Sequence, residues 1–349
     1  MQKSTKYTVI ALLCVVATLL AACSTQESSQ SEKRVVVLVS GVAATTPFTT
    51  PTSPCRTGFS AGNTWAFLRD NLIERGYEVY TAPSSLGGGV VVETTSESDG
   101  PFGDCPEQLP DRVTANAIGP VDRSASSVAR FIQFLHDEYG VTSADVVGHS
   151  LGGLIGRAAI REVRLNQVPV EIRSYTTLGS PWDGVMLADP IDPAQPISAC
   201  DGSKVCEGFL TPLLTVPGIS MLVSTLAPAN TAVWNTNQVG VLDGIPVTLV
   251  AGTYFTKPGG IARKWPNDGA IQESAALATA TPDSVLPHRT CFVKPYTHSY
   301  LVSQAVGAPD DTAMTWNDDV ATIISNAIDN ASDALSQPNR VGCPPPPSQ

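Results

Sequence analysis

A serine at the centre of Gly148-His-Ser-Leu-Gly152 has the surroundings of a catalytic nucleophile. The valines before it predict a buried strand, and the segment from Leu151 to Val163 predicts a helix that begins at once. The chain must therefore reverse in a tight turn that exposes Ser150 at the tip of the strand, where glycines leave room for neighbouring backbone. The N–H of Leu151 at the start of the helix is a candidate donor to an oxyanion.

A chance match is the alternative, because the pattern is short and the chain contains 28 glycines. The position between a predicted strand and a predicted helix argues against chance, since a nucleophile elbow requires that context. Gly148-His-Ser-Leu-Gly-Gly153 is also similar to the elbow of bacterial lipases and esterases of the α/β-hydrolase superfamily. That resemblance implies a hydrolase of carboxylic esters, with serine, acid and histidine in this order along the chain.

A serine hydroxyl is a weak nucleophile, so Ser150 needs a histidine base and a carboxylate that orients it. Of the four histidines, His149 lies within the elbow and is expected to point away from the serine, and His136 lies on a helix before it. We favour His298, which follows a predicted strand and resembles the His-Ser-x-Leu stretch around the lipase histidine. His288 is the alternative, although its Pro-His-Arg context is typical of a surface turn.

For the orienting acid, Asn267-Asp-Gly269 resembles the Asn-Asp-Gly segment that carries the lipase aspartate, and this indicates Asp268. The residue follows a predicted strand, Ile245 to Ala251, and precedes the favoured histidine, as the chain order requires. Asn-Asp-Gly is also a common turn. Asp243 precedes its strand and so would lie at the wrong end of the sheet, and Asp183 is expected to be structural.

The second oxyanion donor is expected in Ser40-Gly41-Val42, directly after the first predicted strand. In the lipases that the chain resembles, this loop opens with His-Gly and donates a backbone N–H. Gly41 matches that pattern, Ser40 replaces the histidine, and Val42 is the donor by position. The replacement affects the hydrogen bonding expected around the loop more than the backbone donor itself.

Alternating strands and helices are predicted to position these residues. The β-branched run Val35 to Val39 is typical of a strand buried on both faces, and an amphipathic helix, the elbow and the strand Ile172 to Leu178 continue the pattern. The expected fold is an α/β-hydrolase with a mostly parallel, doubly wound sheet. Residues 34–343 would form one catalytic domain, with a last helix from Trp316 to Leu335 and a Pro-rich tail over 344–349.

An apolar, Pro-containing segment over about 185–239 interrupts this pattern between two core strands. It is too apolar for a plain loop, and its apolar residues are concentrated between Phe209 and Leu226. Because it lies at the active-site end of the sheet, we interpret it as an inserted helical lid over Ser150. A pair of ordinary core helices is the alternative.

The N-terminus has the composition of a targeting segment. Two lysines precede an apolar run that ends in Leu20-Ala-Ala-Cys23, which resembles a bacterial lipobox. Residues 1–22 would be removed, Cys23 would carry acyl chains, and residues 23–33 would form a flexible tether. The predicted location is therefore the bacterial cell envelope, and an ordinary secretory signal that yields a freely secreted protein is the alternative.

Six cysteines remain once Cys14 and Cys23 are assigned to the signal and the anchor. An even number in an exported chain predicts three disulfides, and proximity in sequence favours Cys55–Cys105, Cys200–Cys206 and Cys291–Cys343. The pairs lack the CxxC spacing and neighbouring histidines of a zinc site. We therefore expect neither a metal nor a cofactor.

The formal net charge is −11 at pH 7, and the body of the chain has no cluster of Lys and Arg. Nucleic acid is therefore not an expected partner. The expected partners are an ester or lipid substrate and, through the anchor, a membrane. An acyltransferase or thioesterase with the same residues and a non-catalytic binding lipoprotein are the alternatives, and the acyl-chain length and the oligomeric state stay open.

Overall fold

The fold is described by a computed structural model for residues 32–54, 62–91, 102, 105, 108–190, 194–217 and 219–345. The predicted signal segment, Cys23 and most of the tether lie outside these residues. Within the described ranges, no helix combines the length and apolar character needed to cross a bilayer. The same ranges contain no group of three or more His, Cys, Asp or Glu side chains arranged to hold a metal ion.

The strands, in chain order, are β1 (Arg34–Val39), β2 (Val79–Thr81), β3 (Ser84–Ser85), β4 (Ala115–Asn116), β5 (Ser143–His149), β6 (Glu171–Leu178), β7 (Val247–Gly252), β8 (Arg289–Lys294) and β9 (Arg340–Val341). In the described part of the chain, seven of them form one sheet in the order β2-β1-β5-β6-β7-β8-β9, and β3 pairs with β4. All neighbouring strands of the large sheet are parallel. Their carboxyl ends therefore meet at one edge, where Ser150, Asp268 and His298 follow β5, β7 and β8.

The helices are α1 (Gly62–Glu74), α2 (Val121–Tyr139), α3 (Leu151–Leu165), α4 (Lys204–Leu213), α5 (Ile219–Thr225), α6 (Pro228–Thr236), α7 (Glu273–Ala276), α8 (Tyr300–Val306), α9 (Asp318–Asp329) and α10 (Ala331–Ala334). Alternate residues of β1 face opposite sides of the sheet. Val35 and Val37 pack in the apolar cluster that contains α2 and α3, whereas Val36 and Leu38 pack with α1 and α9. Helices therefore cover both faces, as predicted for a doubly wound sheet.

The last helix differs from its prediction. Met314–Trp316 is a 3₁₀ turn, and the side chain of Asn317 then caps α9 by accepting a backbone N–H at 2.8 Å. Asn330 ends α9 and separates it from α10. The single helix predicted from Trp316 to Leu335 is therefore wrong, because an asparagine at each of two positions starts or stops a helix.

The segment predicted to be a lid, residues 185–239, is called the lid segment below; it contains α4, α5 and α6 and the 3₁₀ turns Met186–Ala188 and Pro196–Cys200. Ile219 and Leu222 of α5 are buried in the same apolar cluster as the helices on the α2 and α3 face. The insertion therefore packs onto the body of the protein through α5.

Two of the predicted disulfides are confirmed. Cys200–Cys206 links the lid's second 3₁₀ turn to α4, and Cys291–Cys343 joins β8 to the residue after β9 and Gly342. The second disulfide spans 52 positions, so loop-closure entropy gives it a stabilising effect of about 4 kcal/mol. Cys105 is also disulfide-bonded, but the predicted pair Cys55–Cys105 includes Cys55, which lies outside the described residues.

Candidate active site

The elbow holds Ser150 between β5 and α3 in a constrained conformation. The backbone of Ser150 has φ 56° and ψ −131°, which a residue with a side chain adopts only when its surroundings require it. Its N–H donates to the carbonyl of Leu178 at 2.9 Å. On the other side, a Cβ on Gly152 would lie 2.2 Å from the carbonyl oxygen of Val39. The elbow is thus locked between β6 and β1.

Asp268 and His298 form a hydrogen-bonded pair at the same edge of the sheet. Oδ2 of Asp268 lies 2.7 Å from Nδ1 of His298, and the main-chain N–H of His298 donates to the carbonyl of Asp268 at 2.7 Å. The aspartate is fully buried, and its Oδ1 accepts the N–H groups of Ala270 at 2.9 Å and Ile271 at 2.7 Å. One carboxylate oxygen is therefore held by the backbone, which leaves the other to orient the imidazole.

Local turn chemistry explains how the chain holds this carboxylate. Oδ1 of Asn267 accepts the N–H of Gly269 at 2.9 Å, and Nδ2 donates to the carbonyl of Lys264 at 2.9 Å. Asn267 itself is fully buried. The Asn-Asp-Gly turn, which the sequence also allowed as an ordinary turn, is the device that presents Asp268.

The loop after β6 passes directly beside the acid and the histidine. A Cβ on Gly179, which has φ 53°, would lie 2.7 Å from Oδ2 of Asp268 and 3.0 Å from Nδ1 of His298. A side chain at this position would push the two groups apart. Glycine is therefore required here both by the backbone conformation and by the close approach.

The two predicted oxyanion residues, Val42 and Leu151, line the same cavity as Ser150 and His298. Leu151 is the first residue of α3, so its N–H has no partner within the helix. The positive end of the helix lies at the same place. The arrangement therefore offers two backbone positions beside the serine where an oxyanion could be bound.

Ser40, the departure from the lipase pattern, has a hydrogen-bond network of its own. Its Oγ accepts Nε1–H of Trp65 at 2.9 Å and lies 2.7 Å from Oγ1 of Thr46. All three side chains are buried. The serine therefore attaches the loop that carries Val42 to α1, so the absence of a histidine at this position does not leave the loop unsupported.

His149 also belongs to the site, which the sequence interpretation missed. It lines the cavity, its Nε2 lies 2.9 Å from the carbonyl oxygen of His298, and the two ring centroids are 4.6 Å apart. Burial, followed by the charge of His298, lowers the pKa of His149 well below 6.5. A histidine next to the nucleophile was the available signal, but a contact between residues 149 positions apart leaves no local pattern.

The alternative site residues lie elsewhere. His288 and Asp243 precede β8 and β7, so they lie toward the amino ends of these strands, at the opposite edge of the sheet from Ser150. Asp183 accepts the hydroxyl of Thr281 at 2.6 Å and a backbone N–H at 2.8 Å, contacts that join two loops. These positions favour Asp268 and His298 over the alternatives.

A cavity of about 310 Å³ opens at Ser150, within the range of about 300–1,000 Å³ that is typical of ligand pockets. One wall consists of the elbow and the loops that carry Val42 and His298. The lid segment contributes six aliphatic side chains to the lining: Val185, Leu187, Ile219, Leu222, Val223 and Leu226. None of the described residues that line the cavity is Lys, Arg, Asp or Glu.

A tight turn at Ser150 after β5, an inner strand of a parallel, doubly wound sheet, with an acid and a histidine on later loops, decides the fold class. The chain has an α/β-hydrolase fold. Its residues 119–194 match the family model described as "Putative serine esterase (DUF676)". This match includes Ser150 and ends before Asp268 and His298.

Several solved structures of this fold are similar to the chain. The mature lipase BlEst2 of Bacillus licheniformis is 14% identical over 79% of this chain and 91% of that chain, with a TM-score of 0.47. The lin2722 gene product of Listeria innocua is 13% identical over 90% and 99%, with a TM-score of 0.45. The esterase Pf2001 of Pyrococcus furiosus is 13% identical over 85% and 84%, with a TM-score of 0.42. No curated protein sequence matches the chain.

Proposed function

We propose that the protein is an exported serine hydrolase that cleaves carboxylic esters, with a lipase-like preference for apolar acyl groups. The observation that carries the proposal is the buried, hydrogen-bonded Asp268–His298 pair, whose histidine lines the same cavity as the constrained Ser150. The match of residues 119–194 to a serine esterase family supports the same chemistry.

In the first half of the reaction, Oγ of Ser150 attacks the ester carbonyl while Nε2 of His298 takes its proton. Asp268 stabilises the resulting imidazolium through Nδ1 and keeps the ring oriented. The negative oxygen of the tetrahedral intermediate is stabilised by the N–H groups of Leu151 and Val42. The intermediate collapses, His298 returns the proton to the leaving alcohol, and the acyl group stays on Ser150.

In the second half, a water molecule takes the place of the alcohol. His298 removes a proton from the water, which attacks the acyl-enzyme carbonyl and forms a second tetrahedral intermediate in the same oxyanion site. Collapse of this intermediate breaks the bond to Oγ, and His298 returns the proton to Ser150. A carboxylic acid leaves, and the enzyme is regenerated.

The composition of the cavity wall supports an apolar acyl group. Each buried methylene contributes about 0.8 kcal/mol of favourable transfer free energy, and the lid side of the cavity consists of aliphatic side chains. A charged acyl group would lose its hydration without meeting an opposite charge from the lining. Neutral esters of aliphatic acids are therefore the proposed substrates.

The test combines substrate range with covalent labelling. p-Nitrophenyl esters from acetate to palmitate are supplied to the wild type and to Ser150→Ala, and a p-nitrophenyl phosphonate is used to label the nucleophile. We expect hydrolysis by the wild type alone and an adduct on Ser150, located by peptide mass spectrometry. Ser299, which lines the same cavity, is the internal control. Hydrolysis by Ser150→Ala, or an adduct on Ser299, would contradict the proposal.

Transfer to an alcohol distinguishes the acyltransferase alternative. Adding glycerol at rising concentration to a hydrolysis assay partitions the acyl-enzyme between water and alcohol. A hydrolase is expected to release mainly free acid at millimolar glycerol. Preferential formation of the glycerol ester under these conditions would assign the protein to the acyltransferases.

For location, we propose that acylated Cys23 holds the enzyme on a membrane. The disulfides Cys200–Cys206 and Cys291–Cys343 support an oxidising compartment outside the cytoplasm. Cys23→Ala is expected to move the protein from the membrane fraction to the soluble exported fraction, whereas Cys14→Ala, a change inside the predicted signal, is the matched control and should leave it bound. A membrane-bound wild type with an unacylated N-terminus would refute this proposal.

A further inference from the structure

The main chain of His298 is held on both of its polar groups. Its N–H donates to the carbonyl of Asp268 at 2.7 Å, and its carbonyl oxygen lies 2.9 Å from Nε2 of His149. A carbonyl only accepts, so Nε2 of His149 must carry the hydrogen in this contact. The contact therefore fixes the tautomer of His149 and makes it a donor to the residue that serves as base.

The surroundings of the His149 side chain keep it buried and neutral. It is only 4% exposed, and Trp65 packs against it edge to face with ring centroids 6.1 Å apart. The ring of His298 also contacts it, with ring centroids 4.6 Å apart. Because burial and the charge of His298 lower its pKa well below 6.5, His149 is neutral at neutral pH and does not compete for the proton of the reaction.

We propose that His149 is a positioning residue: through its Nε2–H it holds the His298 main chain, and so sets the distance between the base and Ser150. This inference rests on the proposed function. It names a role for a side chain that the Ser-His-Asp chemistry itself does not require.

The position of His149 in the chain explains why the contact matters. His149 is the last residue of β5 and the neighbour of Ser150, whose own N–H is bonded to β6. The nucleophile and the donor that holds the base are therefore carried by two consecutive residues of one rigid turn. His298, in contrast, lies on a loop between β8 and α8. Without the donor, that loop keeps its bonds to Asp268 but loses its direct attachment to the elbow.

The experiment replaces His149 by three residues that differ in where they present a donor. Gln places an amide N–H about where Nε2 lies, Asn reaches only as far as Nδ1, and Leu fills space without a donor. With the p-nitrophenyl esters of acetate and butyrate, we expect His149→Gln to keep kcat within about threefold of the wild type. His149→Asn and His149→Leu should lower kcat about 10- to 100-fold, the size of effect that follows from displaced catalytic groups. KM should change little in all three.

Two further measurements separate positioning from folding. Thermal unfolding of each variant shows whether the fold is intact, and the rate of phosphonate labelling of Ser150 reports the base without a turnover. If His149→Leu lowers both the labelling rate and kcat by similar factors, and His149→Gln has near wild-type values of both, the positioning role stands. If all three His149 variants have equal kcat, the inference is wrong. It is also wrong if kcat among the variants correlates with the melting temperature and not with the presence of a donor at the position of Nε2.

His298→Ala in the same series distinguishes this failure from a failure of the proposed function. Loss of activity in His298→Ala together with full activity in all His149 variants would remove only the positioning role. Full activity in His298→Ala would remove the proposed base, and with it the function on which the inference rests.

Discussion

The loop that carries His298 and the lid segment are held by different kinds of interaction. His298 is fixed by polar bonds to its N–H, its carbonyl and its imidazole, whereas α5 of the lid packs through the buried aliphatic side chains Ile219 and Leu222. Hydrogen bonds fix a distance because they are directional, but an apolar contact exchanges one apolar partner for another at little cost. The cavity is thus lined on the His298 side by groups held at fixed distances and at α5 by apolar contacts that another apolar group could replace.

The lid is not uniform in this respect, because α6 is fastened by a buried cation. The guanidinium of Arg157, fully buried on α3, lies 4.4 Å from the ring centroid of Trp182 and 4.6 Å from that of Trp234 on α6. Its Nη2 donates to Oδ1 of Asn235 at 2.6 Å. These contacts attach α6 to the body, so we expect any opening of the lid to involve α5 while α6 stays in place.

The largest effect is expected at Ser150, the proposed nucleophile, which belongs to the polar side of this comparison. Ser150→Ala should lower kcat for a soluble ester by about 10⁶-fold, since the reaction loses its attacking group. Its melting temperature should stay close to that of the wild type, because the hydroxyl contributes little packing. Ser299→Ala is the matched control in the same cavity, and a comparable loss there would show that the change disturbs the pocket and not the chemistry.

Asp268→Asn should have the next largest effect, about 10⁴-fold in kcat. An asparagine that donates to Nδ1 forces the hydrogen of His298 onto Nε2, which is the atom that must accept the proton of Ser150. The measurement is kcat for p-nitrophenyl butyrate, with circular dichroism as the control for folding. A loss below tenfold would mean that another group orients the histidine.

On the apolar side, two neighbouring residues of α5 give a matched pair. Leu222 is 2% exposed and lines the cavity, and Met221 is 58% exposed. Leu222→Ser should lower kcat/KM for a long-chain ester about tenfold more than for an acetate, since a few lost apolar contacts have an effect of this size. Met221→Ser should leave kcat/KM unchanged for both esters. Equal losses on both esters, with a lower melting temperature, would identify α5 as ordinary core packing.

The fastening of α6 should have a smaller effect, and on stability. Trp234→Leu removes one of the two rings that contact Arg157 and should lower the free energy of unfolding by about 1–2 kcal/mol. Trp234→Phe keeps a ring and should lose less. The comparison uses urea unfolding followed by fluorescence. If Trp234→Phe and Trp234→Leu are equally destabilising, the contact between the ring and the guanidinium of Arg157 does not contribute to stability.

The smallest effect is a pH dependence of stability that comes from His149. Its pKa is near 6.5 in the unfolded chain and lower in the fold, so the unfolded state binds more protons between the two values. Acidification below about pH 6.5 therefore lowers the free energy of unfolding, by at most about 1.4 kcal/mol per pH unit. His149→Gln lacks this group, so between pH 7 and 5.5 it should lose less stability than the wild type. Equal losses would mean that His149 takes up no extra proton on unfolding.

The features with local signals were predictable from the sequence. The elbow needs only a strand, a glycine-flanked serine and a helix in succession, and the parallel sheet follows from β-branched runs that alternate with amphipathic helices. Asp268 and His298 were accessible because each follows a predicted strand in a short motif. The last helix was misjudged because the amphipathic spacing continues through Asn317, whose side chain caps the start of α9, and Asn330, whose side chain donates to the carbonyl of Asn326 at the end of α9.

The features without local signals were not predictable. The bond between His149 and His298 joins residues 149 positions apart, and the two tryptophans that contact Arg157 come from different segments of the chain. Such contacts depend on the completed packing of the sheet and the lid. The sequence identified the apolar segment that contains the lid residues of the cavity. It did not show which of these residues line the cavity, because that depends on how α5 packs against the body.

The close approach of Gly152 to the end of β1 also means that the turn at Ser150 takes its final shape late in folding. The carbonyl of Val39 and the turn at Ser150 are brought together by the pairing of β1 with β5, strands separated by more than a hundred residues in the chain. Pairing over such a separation forms slowly compared with local helices. A chain in which β1 and β5 have not yet paired therefore lacks the constrained turn at Ser150. In refolding from urea, the return of phosphonate labelling should lag behind the return of helical circular dichroism.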